Sequence, residues 1–322
     1  MKQLLVFCLA RLMMACTSDS SLNKGPLVPV QLSCEYLRNP SVVDVAQPRL
    51  SWINQAGKGE RGQKQTAWQV RVASSRKQLD QADLWDSGKQ LSRQSTRVKY
   101  QGTPLKSRQE CWWQVRVWDR DGLVSDWSEA GMWRMGLLDP DDWKADWIGA
   151  PWQGEEALPR PDRPNALPED FGPPAPMFRK DFRVEKRIER AVAFVTGLGY
   201  FELWLNGEKV GDDVLVPNQT NYGKRPKLKD ALIALPDDFA EYKVMYLAYD
   251  VKDQLDRGMN TIGSIVGNGF YNPAKFWTEG YGTPRFLCQL HITYNDGTET
   301  VIASDASWTA HQSPILMNMV YY

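Results

Sequence analysis

Asn206-Gly207 stands between two alternating runs, Tyr200-Phe201-Glu202-Leu203-Trp204-Leu205 and Glu208-Lys209-Val210. An Asn-Gly pair accepts the two consecutive left-handed residues of a tight hairpin turn, so the chain must double back here as antiparallel β-structure. Period-two alternation then puts Phe201, Leu203 and Leu205 on one face and Glu202 and Trp204 on the other. A large aromatic on an otherwise polar face packs beneath a second sheet, docks a neighbouring domain or meets a ligand.

The same period recurs upstream. Trp68-Gln69-Val70-Arg71-Val72 and Trp113-Gln114-Val115-Arg116-Val117 are identical pentads. In each, Trp, Val and Val share one face while Gln and Arg share the other, the pattern of a half-buried antiparallel strand. Further strands are expected at Val28–Tyr36, Arg49–Asn54, Thr96–Tyr100 and Gly131–Met135. Short strands separated by turn signals predict a fibronectin-III-like β-sandwich over residues 26–136. Residues 137–176 read as a junction, centred on Trp147-Ile148-Gly149, and a linker. Seven prolines between Gln153 and Pro176 exclude a sheet or helix there.

Residues 177–322 predict a second, jelly-roll-like β-sandwich. Met177–Phe182 opens a strand, Val192–Thr196 is apolar on both faces, and Asn295-Asp296-Gly297-Thr298 marks a second hairpin. Cys288, Leu290, Ile292 and Tyr294 alternate with Gln289, His291 and Thr293, which makes His291 an exposed imidazole. Asp250–Gly258 predicts a short helix, capped by Asp250 and ended by Gly258. Lys224–Glu241 shows no usable pattern.

Thirty-nine basic residues balance thirty-nine acidic ones, and no basic block occurs, which argues against nucleic acid as a partner. The N-terminus has the layout of an export signal: Lys2, an apolar Leu4–Ala10 too short to cross a bilayer, then Leu12-Met13-Met14-Ala15-Cys16. The last five read as a lipoprotein cleavage box with Cys16 as the lipidated residue, although Arg11 and Met13 depart from the usual pattern. An ordinary cleaved signal and a misread start are the alternatives. Residues 1–25 are thus signal and tether, and the expected location is the periplasm or the outer membrane or cell surface, with a lipid anchor. Cys34, Cys111 and Cys288 fit no disulfide or zinc spacing and read as buried free thiols.

Little classical chemistry is legible. The acidic pairs Asp141-Asp142, Glu155-Glu156, Asp212-Asp213 and Asp237-Asp238 read as solvated surface, since paired buried carboxylates would repel. Two histidines, His291 and His311, argue against zinc. Asp119-Arg120-Asp121-Gly122 lacks the later ligands of a calcium loop and reads as a strand-end turn. Neither Gly197-Leu198-Gly199 nor Gly267-Asn268-Gly269 opens a helix as a phosphate loop does. The best ligand candidates are aromatics and amides on turn-rich segments: Asp213, Asn218, Asn221 and Tyr222 after the hairpin, and Asn268, Tyr271 and Trp277 after the second Gly-rich turn. Sugars offer C–H faces to aromatic rings and hydroxyls to amides and carboxylates. The competing reading has Trp204, Phe270, Tyr271 and Trp277 lining the core or a domain interface.

Several strings, in order and spacing, are similar to the N-terminal half of bacterial α-L-rhamnosidases of glycoside hydrolase family 78. They include Pro48-Arg49-Leu50-Ser51-Trp52, Trp85-Asp86-Ser87-Gly88, Trp147-Ile148-Gly149, Phe178–Phe182, Gly197–Gly207, Tyr249-Asp250-Val251 and Gly267–Tyr271. The resemblance implies an exported enzyme that removes terminal α-L-rhamnose from rhamnose-containing glycans with inversion, through an acid and a base carboxylate. In that family the carboxylates lie in an (α/α)6 barrel that follows the second sandwich. The sequence stops at Tyr322, where the linker to such a barrel would begin, so no catalytic residue is carried over. Rhamnose-binding jelly rolls related to the family often use calcium, the one cofactor left open. Two functions are expected: the accessory region of an α-L-rhamnosidase, inactive without its barrel, or a surface-anchored carbohydrate-binding protein without hydrolase activity.

Overall fold

The computed structural model describes residues 25–154, 173–220, 222–223, 243–272 and 280–318. These form an all-β protein of antiparallel sheets. The chain divides into two compact units. One comprises residues up to Arg38 with Gln47–Thr103 and Cys111–Met132; the other comprises Asn39–Ala46, Pro104–Glu110 and the chain from Trp133 onward.

Two sheets build the first sandwich. One has the order β1 (Leu27–Cys34), β2 (Arg49–Ala56) and β5 (Val98–Lys99); the other runs β4 (Trp85–Asp86), β3 (Ala67–Ala73), β6 (Glu110–Trp118) and β7 (Gly131–Arg134). The twin pentads are cross-strand partners of each other. Trp68 faces Val117, Val70 faces Val115 and Val72 faces Trp113, so each Trp meets the other pentad's last Val. All of these are buried, and Trp68 also packs edge-on against Trp52, ring centres 5.9 Å apart. On the opposite face Gln69 lies across from Arg116 and accepts from its Nε at 2.9 Å. The guanidiniums of Arg71 and Arg116 stack on the Trp127 ring at 4.5 and 4.8 Å, so the polar face is closed by cation–π contacts. Asp119 is a turn residue: its Oδ1 accepts from the backbone N–H groups of Asp121 and Leu123, each at 2.9 Å. Cys34, Cys111 and Cys288 are buried and form no disulfide among the described residues, and burial pushes the Cys288 thiol up to about 12.

In the second sandwich a five-stranded sheet has the order β11 (Glu208–Lys209), β10 (Tyr200–Leu205), β13 (Gly258–Gly267), β8 (Pro176–Val184) and β16 (Thr309–Gln312). It faces a four-stranded sheet of β12 (Leu247–Asp250), β9 (Ile188–Leu198), β14 (Arg285–Tyr294) and β15 (Glu299–Ala303). Phe201, Leu203 and Leu205 enter the shared core with Phe178, Ile262, Phe286, Leu290 and Ile292. Trp204 stays half-buried on the outer face, across from Gly263 and Lys209. Asn206 and Gly207 hold φ of 51° and 87°, as their turn requires.

The outer face of the four-stranded sheet is covered as well. Leu137 forms a second small core with Val192, Phe194 and Ala248, and Val42, Trp143 and Tyr246 pack against it. This is why Val192–Thr196 is apolar on both faces. It also corrects the expectation for His291, which is 7% exposed rather than solvated. Alternation assigned His291 to the right face, but chain from Pro104–Glu110 and from the segment after Trp133 lies over that face. The helix expected at Asp250–Gly258 is also corrected. Only Lys252–Gln254 makes a 3₁₀ turn, and Gly258, at φ 114°, starts β13 instead of capping a helix. One turn is too short to propagate as a helix against strand pairing on both sides.

Candidate functional site

The residues that sequence singled out gather only in part. Around the end of the second sandwich where β9 passes into β10, β13 ends and β14 begins, three tyrosines form one cluster. Tyr222 lies edge-on to Tyr271 at 5.2 Å and to Tyr281 at 5.5 Å, and Tyr271 stacks on Tyr281 at 5.9 Å. Tyr281 is half exposed. Its N–H donates to the Tyr271 carbonyl at 2.9 Å, fixing one ring against the other. Burial, reinforced by Tyr200, pushes the Tyr222 phenol up to about 12, and burial raises that of Tyr271 too. The hydroxyls of Tyr222 and Tyr271 therefore stay protonated at neutral pH and can donate as well as accept.

Beneath the rings runs an amide ladder. Asn268 is buried; its Nδ2 donates to Asn318 Oδ1 at 2.7 Å, and its own Oδ1 accepts from Asn272 Nδ2 at 3.1 Å. The same Asn318 oxygen accepts from the Asn268 N–H at 2.8 Å. Asn268 thus positions the turn that carries Tyr271, and its amide is spent on the protein. Backbones approach closely here: Gly199 holds φ 112°, and a Cβ on it would collide with the Gly267 carbonyl. Tyr200 packs edge-on to Phe270 at 6.2 Å on the adjoining side.

Asp213 is directed elsewhere. Its Oδ2 accepts from the Tyr249 hydroxyl at 2.9 Å, and burial together with this carboxylate raises the Tyr249 phenol. Asn218 is exposed on the loop that leads to Tyr222. Asn221, Trp277 and the lipidation candidate Cys16 lie outside the described residues. Sequence reasoning passed over Tyr281; the signal for it was an aromatic between two glycines, Gly280 and Gly282, on the same turn-rich stretch as Tyr271. Among the described residues no group of three or more His, Cys, Asp and Glu could hold a metal ion.

Two antiparallel sandwiches in tandem, the second ending in an aromatic cluster over an amide ladder, define the class: a modular all-β protein with a polar–aromatic surface at one sandwich end. Comparison with known proteins makes this particular. Residues 29–139 match the family described as Rha78A-like, N-terminal immunoglobulin domain, and residues 186–233 and 230–322 match the alpha-L-rhamnosidase N-terminal domain. The chain therefore consists largely of the two N-terminal domains of the α-L-rhamnosidase families. An α-L-rhamnosidase of Formosa agariphila is 36% identical over 88% of this chain and 29% of its own length. Among solved structures, the α-L-rhamnosidase from Dictyoglumus thermophilum superposes with a TM-score of 0.74 at 35% identity, covering 89% of this chain and 30% of that one. The Streptomyces avermitilis enzyme complexed with L-rhamnose gives a TM-score of 0.74 at 25% identity, over 90% of this chain and 41% of that one. The chain spans about a third of the length of these relatives.

Proposed function

We propose that this chain is the accessory region of an α-L-rhamnosidase, which hydrolyses terminal α-L-rhamnose with inversion through acid and base carboxylates of a further, (α/α)6 domain. The observation that carries this reading is the match of both sandwiches to α-L-rhamnosidase N-terminal domains. On the same reading, the Tyr222–Tyr271–Tyr281 cluster is where the chain itself meets a rhamnose-containing glycan. Stacked rings suit the C–H face of a deoxy sugar, and protonated phenols suit its hydroxyls. Asn218, exposed on the loop that leads to Tyr222, would extend such a surface.

The second reading is a surface-anchored carbohydrate-binding protein without hydrolase activity. It is favoured by the tyrosine cluster together with the export signal and the Cys16 lipidation box, which would place the protein at a periplasmic or outer-membrane surface. One experiment tests the glycan contact that both readings share. The purified chain is titrated with L-rhamnose, with and without calcium, and assayed on a chromogenic α-L-rhamnoside. Binding in the millimolar range that Tyr271→Ala weakens tenfold or more, without turnover, supports a glycan-contacting accessory or binding role. Turnover by the chain alone would overturn both readings, and full-strength binding by Tyr271→Ala would remove the cluster from the site.

A further inference from the structure

The second unit also contains a narrow cavity that shares no lining residue with the tyrosine cluster. Three guanidiniums, from Arg108, Arg134 and Arg190, and the imidazole of His291 line it over a floor of Val192 and Phe194. No carboxylate is among its described lining residues. The acids that balance these arginines are not among the lining residues, although Glu299 touches two that are, Arg108 and His291. Glu299 pairs with Arg108, while Glu110 and Asp250 take Arg134 Nε and Nη1 at 3.1 and 3.3 Å. Each acid engages part of a five-donor fork and holds the guanidinium in orientation. Arg190 is half-buried on β9, where its backbone pairs with Thr293, and its guanidinium makes no ion pair or hydrogen bond among the described residues. Arg108 is held at φ 63°, a left-handed conformation unusual for a side-chain-bearing residue, by its N–H on the Gly136 carbonyl at 3.0 Å.

His291 adds no charge to this cavity, and its hydrogen bonds show why. Gln289 Oε1 accepts from the Lys144 N–H at 2.7 Å, and Gln289 Nε2 donates to the Asp142 carbonyl at 3.1 Å. The amide is therefore oriented by two backbone groups. The same Nε2 lies 3.0 Å from His291 Nε2, which must be an unprotonated acceptor. Nδ1 lies 3.2 Å from Glu299 Oε1 and 2.9 Å from Arg108 Nη1, so this edge of the ring is shared between a carboxylate and a guanidinium. The cavity thus presents fixed N–H donors and positive charge above an apolar floor, in surroundings drier than bulk water where an anion is held more strongly.

We propose that this cavity binds a small oxyanion, a carboxylate or a sulfate group, held by Arg190 and by the free N–H edges of Arg108 and Arg134. Planar guanidiniums match the paired oxygens of either group. The occupant is a free ion or the charged substituent of an acidic sugar.

Calorimetric titration of the 322-residue chain at fixed ionic strength tests this, with sodium acetate, sodium sulfate and D-glucuronate as probes and D-glucose as the neutral control. Arg190→Gln is the diagnostic variant, because Arg190 holds nothing else in place. Saturable binding of acetate or sulfate, weakened tenfold or more in Arg190→Gln and kept in part by Arg190→Lys, is the expected result. Tighter binding of D-glucuronate than of acetate identifies a sugar-borne group; binding of the free ions with exclusion of D-glucuronate identifies an ion site. Equal responses of the wild-type chain and Arg190→Gln, or no response beyond that to D-glucose, would overturn the proposal.

Discussion

At the scale of single residues, His291 couples stability to pH. Its imidazole is held below the ordinary value of 6.5, first by burial and then by the positive charge of Arg108, against the opposing pull of Glu299. Protonation at Nε2 would also set two donors face to face with Gln289. The sign follows. The unfolded chain takes up this proton near 6.5 while the folded chain resists it, so the unfolded state binds more protons below that pH. Stability from this group is complete above about 6.5 and declines as pH falls through the window between the ordinary value and the depressed folded one. Thermal unfolding followed from pH 7.5 to 5 should show a falling midpoint that flattens in His291→Gln, whose amide cannot titrate. The carboxylates held low, such as Glu299 and Asp142, lose their contribution only at more acid pH, so the windows separate. Parallel curves for wild type and variant would exclude His291 as the source.

At the scale of elements, the Asn206-Gly207 hairpin carries more than its turn. Asn206 Nδ2 donates to the Gln254 carbonyl and to Asn260 Oδ1, each at 2.9 Å, and its Oδ1 accepts from the Thr261 N–H at 2.9 Å. One side chain thus ties the β10–β11 turn to the 3₁₀ segment and to β13. Asn206→Ala removes all three bonds and places a Cβ-only side chain at positive φ, a combined cost of about 2–4 kcal/mol. Asn206→Asp keeps the acceptor for Thr261 but sets a carboxylate oxygen against the Gln254 carbonyl and Asn260 Oδ1, so it should lose at least as much. Urea unfolding of the two variants measures both; a loss under about 0.5 kcal/mol for Asn206→Ala would show that the turn alone sets the hairpin. This hairpin was legible in sequence because its signals are local: an Asn-Gly pair and strict alternation of Phe201, Leu203 and Leu205. The pairing of the two pentads with each other was not, since period two fixes the faces of a strand and leaves its partner open. His291 was misread for the same reason. Alternation says which way a side chain points and nothing about what chain will lie over it. Of the candidate site, Tyr222 and Tyr271 were legible as aromatics on turns. The engagement of Asn268 with Asn318, fifty positions away, was not.

At the scale of the whole molecule, the second unit is discontinuous in sequence. A cut at the Pro-rich segment, natural from composition, would separate β8–β16 from residues that complete their packing. Val42, Leu137 and Trp143 lie upstream of that cut, yet they cover Val192, Phe194 and Ala248 on the outer face of the four-stranded sheet. Leu137 is further fixed by its N–H on the Tyr246 hydroxyl at 3.0 Å, with Trp143 edge-on to the same ring at 5.5 Å. Removing three such apolar side chains forfeits roughly 1.5–3 kcal/mol each and exposes an apolar strip flanked by His291. Residues 173–322 expressed alone should therefore bind a hydrophobic dye and unfold at a clearly lower urea concentration than residues 26–322. Supplying residues 137–154 in the same polypeptide should recover part of the loss, because Leu137 and Trp143 return while Val42 does not. If residues 173–322 alone unfolded at the same urea concentration as the longer chain, the cover contributed by Val42, Leu137 and Trp143 would be energetically idle, and the second sandwich would be complete within its own strands.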